Sequence, residues 1–312
     1  MPLISQVKID LMLTNISIQF KNPGYIAEDV MPIIPVKLET SKYFTYDKSR
    51  FDAPPALRAE RAQYARVDWA VTTNTYSAQE YGLELLIDDR ERQNAIEPLS
   101  LDIDTTEILT DMVLNDREVR VKNVVMAAAN YTHSNTTALT GLATAWDQFA
   151  TSDPITAIAV TGREVIRANT GVYPNTLILG AKVFSVLKQH PLIIDRLKYN
   201  PPGGTARGSL GALADLFEVD RVLVGLPLYR SSNENQTDVL TDIWGNNALL
   251  AWINPRPAIK QPTLSYMFQS RPRQVYKYRD DFRASDVVRC SEVTAEAMIA
   301  DQCGYLWTGA VT

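Results

Sequence analysis

The residues able to do chemistry are few and poorly placed for catalysis. His133 and His190 are the only histidines in 312 residues. His133 lies in the polar run His133–Thr137, and His190 precedes a proline at an expected helix end. Neither has the Cys, Ser or carboxylate neighbours of a nucleophilic triad, which needs a base held between a nucleophile and an orienting acid. The segment Asn200–Ser209 (NPPGGTARGS) is glycine-rich but lacks phosphate-loop spacing and its lysine, so it reads as a plain loop. The acidic cluster Asp88, Asp89, Glu91 and the pair Asp280-Asp281 stand at no metal-ligand spacing and read as solvated faces. Cys290 and Cys303 match neither a zinc cluster nor a disulfide framework; two free thiols are expected, although one hairpin could bring them face to face. Phe44, Tyr46 and Phe51 beside a basic segment could stack on bases, but the acidity of the surroundings favours a protein contact. These residues give no enzyme, no cofactor and no metal site, so the elements that carry them become the question.

Apolar content of 46% and charged content of 21% suit a sizeable globular core, in one large or two ordinary domains. A net charge of −5 and a pI of about 5.2 argue against a nucleic-acid-binding face. They leave room for a protein that stands near DNA without adhering to it. No apolar run reaches membrane-spanning length, and no secretory signal is visible.

Asp104–Asn130 holds no Pro or Gly and predicts one helix of roughly 40 Å. Asp104 is the expected N-cap, with Glu107 three residues on. Ile108, Met112, Val119 and Met126 fall on one side; Leu114, Val121, Val125 and Ala128 fall nearly opposite; Arg117 and Arg120 line one flank, and Asp111, Glu118 and Lys122 the other. A surface helix has one apolar face, so two faces imply two partners. Either both are layers of the same domain, or one belongs to another subunit.

Before this spine, Met1–Val30 lacks a sustained period and reads as an arm lying on other surfaces. Val36–Tyr46 is rich in β-formers, and Ala65, Val67, Trp69, Val71 and Thr73 alternate with Arg66, Asp68, Ala70, Thr72 and Asn74. Together they predict a long hairpin with arms of about ten residues and a charged tip, Lys48–Gln63. A lone hairpin is marginal in water, so something outside must cover it. Ser77–Ile96 continues extended and turns at Asp88-Asp89 into a short charged helix. Beyond the spine, Ala145–Pro257 alternates helix and short strand, with a helix start at Ser152-Asp153-Pro154, a stop at Gly171 and a Ser209 cap. Gly225–Asn247 reads mostly as loop. Lys260–Thr312 returns to strands (Tyr266–Gln269, Gln274–Arg283, Val287–Cys290, Tyr305–Trp307), expected to form the sheet under the spine.

This order of parts resembles the major capsid proteins of tailed double-stranded-DNA phages. The segments KYFTYDKSRF (42–51), IDDRERQNAIEPLSLD (87–102), YPNTLILGAKVFSVLKQHPLIIDRLKYN (173–200), LADLFEVDRVLVG (213–225), IWGNNALLAWINPRPA (243–258) and ADQCGYLWTGAV (300–311) carry the resemblance in sequence order. It implies an α+β Hong Kong ninety-seven-type capsid fold. The parts would be an N-terminal arm (1–35), an extended-loop β-hairpin (36–76), a peripheral domain with the spine helix (77–145), an axial domain (146–259) and peripheral C-terminal strands (260–312).

The implied protein is not an enzyme and binds no cofactor. It would assemble in the host cytoplasm into hexamers and pentamers of the virion shell, around DNA it does not read and with no membrane. A portal protein, a separate scaffolding protein (the chain reaches the arm directly from Met1) and a decoration protein are the expected partners. Lys42 and Lys48 lie in the hairpin, but no matching cross-link site is seen. The candidate intersubunit contacts are Arg50, Phe51, Arg58 and Arg61 at the hairpin tip, meeting Asp88, Asp89 and Glu91 of a neighbour. An encapsulin-like compartment shell with the same fold is the alternative, and an α/β enzyme using the Asn200–Gly208 loop is a third reading.

Overall fold

The structure, a computed structural model, describes all residues except 1–7, 20–23, 47–51, 54–55, 59, 61–62, 65, 68–70, 95–99, 132–135, 140–144, 199–208, 233–235, 255 and 257–262. Two five-stranded sheets organise the described residues. In the first, Ser265–Asp280 and Ser285–Met298 form a long antiparallel hairpin. Gln79–Asp88 pairs with its second strand, and Lys8–Ile9 and Ile33–Pro35 pair with its first. The sequence predicts a break near residue 270; the structure keeps one strand and shifts the pairing on both sides of Arg271. Pro272, which has no N–H to give the ladder, accounts for that irregularity.

The spine helix runs Leu101–Val125, three residues earlier at its start and five earlier at its end than the sequence predicts. Asp104 is not the cap: Ile103 N and Asp104 N both donate to Ser100 O. Asp102 instead binds Arg92 and Lys277 at 2.8 Å each. At the other end, Asn130 Nδ2 donates to Val124 O and Tyr131 OH to Val125 O, both at 2.7 Å. These side chains satisfy carbonyls left over at the helix terminus, and the chain leaves through a single 3₁₀ turn, Ala128–Asn130.

The spine's two sides differ as the sequence suggests, with corrections. Leu114, Val121 and Val125 are buried, while Ile108 and Met112 are 49% and 53% exposed. Ala128 lies exposed beyond the helix, Met126 is buried, and Val119 is partly buried against the same core as Val121. The open stripe is therefore confined to the first half of the helix.

The arm is more ordered than its irregular pattern suggests. Asp10 Oδ1 accepts from Met12 N and Leu13 N and starts a helix, Leu11–Gln19. Leu13 packs with Leu109, Val113, Val275 and Val288, between spine and sheet.

The second sheet has the order Thr136–Ala138, Gly304–Thr308, Ala248–Ala251, Thr176–Gly180, Arg221–Gly225. The C-terminal strands, expected to form one sheet under the spine, are divided between the two sheets, although Leu306 still shares a core with Val121 and Val125 of the spine. Gly304–Thr308 is an inner strand of the second sheet, with Tyr305, Leu306 and Trp307 all buried. A strand apolar on both faces needs sheet neighbours and layers on both sides, which an edge of the first sheet does not offer. Trp146, Ile158, Ile166, Leu187, Phe217 and Trp307 fill the core between this sheet and its helices. Asp153 Oδ1 accepts from Ile155 N and Thr156 N at the expected helix start; a π-helical stretch, Thr156–Gly162, precedes the α-helix Arg163–Thr170, which ends at Gly171 with φ 73°. Ser209 caps Leu210–Phe217 as expected, accepting from Ala212 N at 3.2 Å. Within the segment read as loop, Leu228–Arg230 and Leu240–Asp242 pair as a small ribbon. Gly225 is fixed by packing: a Cβ there would lie 2.0 Å from Trp244 Cδ1.

The predicted hairpin exists as Thr40–Tyr46 paired with Val71–Ser77, register Thr40↔Ser77 to Tyr46↔Val71. Its arms have seven residues; part of the longer predicted return arm, at 65 and 68–70, lies outside the described residues. Its base rests on the first sheet through Tyr76, stacked on Phe268 at 4.4 Å, and Tyr43 at 5.5 Å. Phe44 is exposed, as are Leu57, Tyr64 and Val67 farther along.

The contrast between the spine's sides is testable. Val121→Asp buries an unpaired carboxylate at a cost of several kcal/mol, enough to unfold a marginal domain, and is expected to give insoluble protein. Met112→Asp on the open stripe is expected to give soluble, folded subunits. Solubility and circular dichroism of the two variants check this; equal insolubility would mean that the open stripe is not open.

Candidate functional site

No catalytic centre assembles among the described residues, and no group of three or more His, Cys, Asp or Glu there could hold a metal ion. His190 is buried; its Nε2 lies 3.2 Å from Ser152 Oγ, whose own proton goes to Gln148 O at 2.8 Å. Burial pushes the imidazole pKa down, so the ring stays neutral. This Ser–His pair is sealed in a core and has no access to a substrate. His133 and the Asn200–Gly208 loop lie outside the described residues. Cys290 and Cys303 are buried in separate cores, so they do not face each other. Burial pushes the Cys290 thiol up, away from reactivity.

Charge gathers instead inside the spine. Arg117 is only 2% exposed. Its Nε donates to Glu292 Oε1 at 3.0 Å, a second nitrogen donates to Glu292 Oε2, and Nη1 reaches Glu28 at 2.5 Å. Burial works against the guanidinium charge, but the Glu292 and Glu28 carboxylates outweigh it and raise the pKa. One turn along, Arg120 binds Asp116 at 2.8 Å, Glu292 at 3.3 Å and Glu296, and lies 3.6 Å from the centre of the Tyr81 ring. Glu118 points elsewhere. It accepts from Ile26 N at 2.7 Å, Ala27 N at 2.6 Å and Trp244 Nε1 at 2.8 Å. One carboxylate thus joins the arm, the spine and the loop that enters the second sheet. Burial raises its pKa, against the pull of these three donors.

Sequence reasoning set Arg117, Arg120 and Glu118 on the spine's flanks and missed these roles. The available signal was spacing: Arg117 continues the buried series Thr106, Thr110, Val113, and Glu118 continues Leu114 toward Val121.

The predicted contact residues are placed as follows. Arg50, Phe51 and Arg61 lie outside the described residues. Arg58 is exposed, its guanidinium 4.3 Å from the centre of the Tyr64 ring. Asp89 is committed within its own chain, to Arg279 through two bonds of 2.6 Å, and that guanidinium holds its carboxyl below the usual range. Asp88 Oδ1 accepts from Arg90 N, and Glu91 is exposed on the short helix Asp89–Asn94. A further open surface was not foreseen: Asn115 Nδ2 donates to Leu228 O at 3.1 Å. That bond ties the ribbon, with exposed Leu226, Leu228, Tyr229, Val239 and Leu240, to the spine one turn from Met112.

No family model matches the sequence. The chain is 29% identical over 307 residues to the major capsid protein of Burkholderia phage BcepMu, covering 96% of both chains. Among solved structures, a phage-related protein from Bordetella bronchiseptica RB50 matches with a TM-score of 0.76 and 23% identity, over 97% of this chain and 98% of that one. The capsid structure of cyanophage P-SCSP1u matches with a TM-score of 0.59 and 10% identity, over 91% and 87%. The fold is the Hong Kong ninety-seven-type capsid fold, in the α+β class.

Two outcomes follow from the buried charges. Glu292→Ala leaves Arg117 only the half-exposed Glu28 and is expected to lower stability, by less than the about 3–5 kcal/mol of a fully stranded buried charge, in urea unfolding. Because the folded state raises the Glu118 pKa, it binds that proton more tightly than the unfolded chain. Stability attributable to Glu118 therefore falls as pH rises from the ordinary glutamate value, about 4.3, to the raised folded value, and is level above it. Glu118→Gln, which does not ionise, is expected to remove that fall; urea midpoints measured across this pH range check it.

Proposed function

We propose that this chain, a major capsid protein of tailed phages, builds the head shell by covering on its neighbours the surfaces that it leaves open on itself. It is a structural protein of the virion capsid and assembles with copies of itself. The observation that carries the proposal is the hairpin Thr40–Tyr46/Val71–Ser77. It forms a two-stranded sheet of its own, anchored among the described residues at its base, with exposed apolar residues beyond. Such a ribbon is marginal in water and calls for a second surface. The open spine stripe and the Leu228–Asp242 ribbon make the same demand, and closed symmetry lets one sequence meet it repeatedly.

In this reading the hairpin is the extended loop, the first sheet and spine form the peripheral domain, and the second sheet with its helices forms the axial domain, to which the C-terminal strand Gly304–Thr308 contributes. Hexamers and pentamers form in the host cytoplasm on a separate scaffolding protein, with a portal and a decoration protein as further partners. The acidic protein encloses DNA without reading it. Arg50, Arg58 and Arg61 meet Asp88 and Glu91 of a neighbour, while Asp89 stays with Arg279. Exposed pairs contribute only about 0–1 kcal/mol each, so they set registration more than strength. The encapsulin-like alternative has less support, since the chain's sequence relatives include phage major capsid proteins.

Sedimentation and electron microscopy of the expressed protein are expected to show capsomers or closed shells, and only monomer at high concentration would count against the proposal. Deleting residues 51–61 is expected to leave soluble subunits that assemble poorly. Normal, equally stable particles from that deletion would remove the hairpin from the interface. Nucleic acid inside phage-derived particles, and no protein cargo, separates a head shell from a compartment shell.

A further inference from the structure

His190 closes the corner between two helices, Ala181–Gln189 and Pro191–Lys198. Its backbone N–H donates to Leu187 O at 3.3 Å, and its carbonyl accepts from Ile193 N at 3.1 Å and Ile194 N at 3.0 Å. The residue is wholly buried, as are Leu187 before it and Ile193 after it, and the Phe149 ring stands edge-on to the imidazole at 5.4 Å. Ser152 Oγ gives its proton to Gln148 O, so toward the imidazole it accepts, and Nε2 carries the ring hydrogen. Nδ1 is then a bare acceptor, buried and without a hydrogen-bond partner among the described residues. A buried acceptor with no donor is a standing cost to the folded state. Proton uptake at Nδ1 adds two more: a charge inside an apolar core and an N–H with nothing to donate to.

The charges around this corner do little to offset those costs. Asp153 favours a charged ring, but its oxygens already accept from Ile155 N, Thr156 N and Thr156 Oγ1, and Arg196 acts on it too. Asp147, in the turn before Ser152, is engaged by Thr312 N and Oγ1. Lys182, Lys188, Asp195, Arg196 and Lys198 are exposed on the outer faces of the two helices, with Asp195 paired to Lys198 at 3.0 Å. Burial therefore outweighs Asp153 and holds the imidazole below its ordinary pKa. If the corner opens, the ring regains water and its ordinary value, about 6.5. The open form then binds a proton that the closed form refuses. The closed form is at full strength above that value and loses ground as the pH falls below it. We propose that His190 is a neutral-pH lock: acid opens the corner between Ala181–Gln189 and Pro191–Lys198, together with the turn that carries Phe149 and Ser152. The lock lies within one subunit and stands whether or not the capsid reading does.

Hydrogen exchange of the full chain at the amides of Ile193 and Ile194, corrected for the intrinsic effect of pH on exchange, reads this opening. Uptake of one proton raises the opening constant by up to about tenfold per pH unit. Exchange is therefore expected to rise severalfold between about pH 6.5 and 5 and to stay level above that range. His190→Gln, whose amide still donates to Ser152 Oγ but does not titrate, is expected to remove the rise. A flat wild-type profile, or the same rise with His190→Gln, would overturn the lock. An equal rise at Ile178, in the middle of the second sheet, would overturn it as a local device, since the whole domain would then be opening. Carbethoxylation of the wild-type chain by diethylpyrocarbonate, read by mass spectrometry, needs no variant to fold. At about pH 7 His190 is expected to react at least about tenfold more slowly than free histidine, and at about pH 5.5 to gain severalfold on it. Reaction at the free rate at neutral pH would overturn the seal, and no gain in acid would overturn the opening.

Discussion

A guanidinium in a protein core must be answered by carboxylates, and the pairing of Arg117 with Glu292 is the contact on which the rest of this structure depends. Removing two charges from water is expensive, so such a pair adds little net stability over a well-packed apolar core. What it adds is position. Arg117 meets Glu292 at one register of the helix on the strand, and a slipped helix would leave both charges buried and unpaired. Glu118, the next residue, then fixes the arm through two backbone N–H groups and the second sheet through Trp244. Two adjacent side chains, about 100° apart around one helix, set the relation of three parts of the subunit.

Around this fixed centre the chain leaves apolar material outside. Ile108 and Met112 on the spine, the ribbon ending in Leu240, the distal hairpin and Phe282 all lie exposed. They are spread over different parts of the subunit, so no single small partner could cover them. Repeated copies of the same chain can, since each copy offers every surface as well as needing it covered. The interior decides what the subunit is, and the exposed apolar surfaces decide what it does.

Much of the local structure was legible in the sequence. Alternation around Val71–Thr73 gave the hairpin, the unbroken run after Asp104 gave the spine, and Ser209 and Gly171 marked helix ends where they occur. The boundaries were less legible. The spine stops at Val125 because Asn130 and Tyr131 fold back onto its last carbonyls, a decision taken by side chains six residues on, beyond the helix itself. The arm helix was missed because Leu13 is the only hydrophobe among the residues it fully buries, the others being Thr14 and Ser17; a face so poor in apolar residues leaves no periodic signature.

The sequence by itself determined the type of most elements and, through six segments in order, the capsid resemblance. Those depend on local propensity, residue identity and order along the chain. Only the tertiary structure decided that Arg117 and Glu118 are buried, that Gly304–Thr308 belongs to the second sheet, and that Asp89 answers Arg279 in its own chain. Each of these is a pairing between residues far apart in sequence. A charged or β-forming residue looks the same along the chain whether its partner is water, a distant strand or a neighbouring subunit, and only the fold brings that partner within reach.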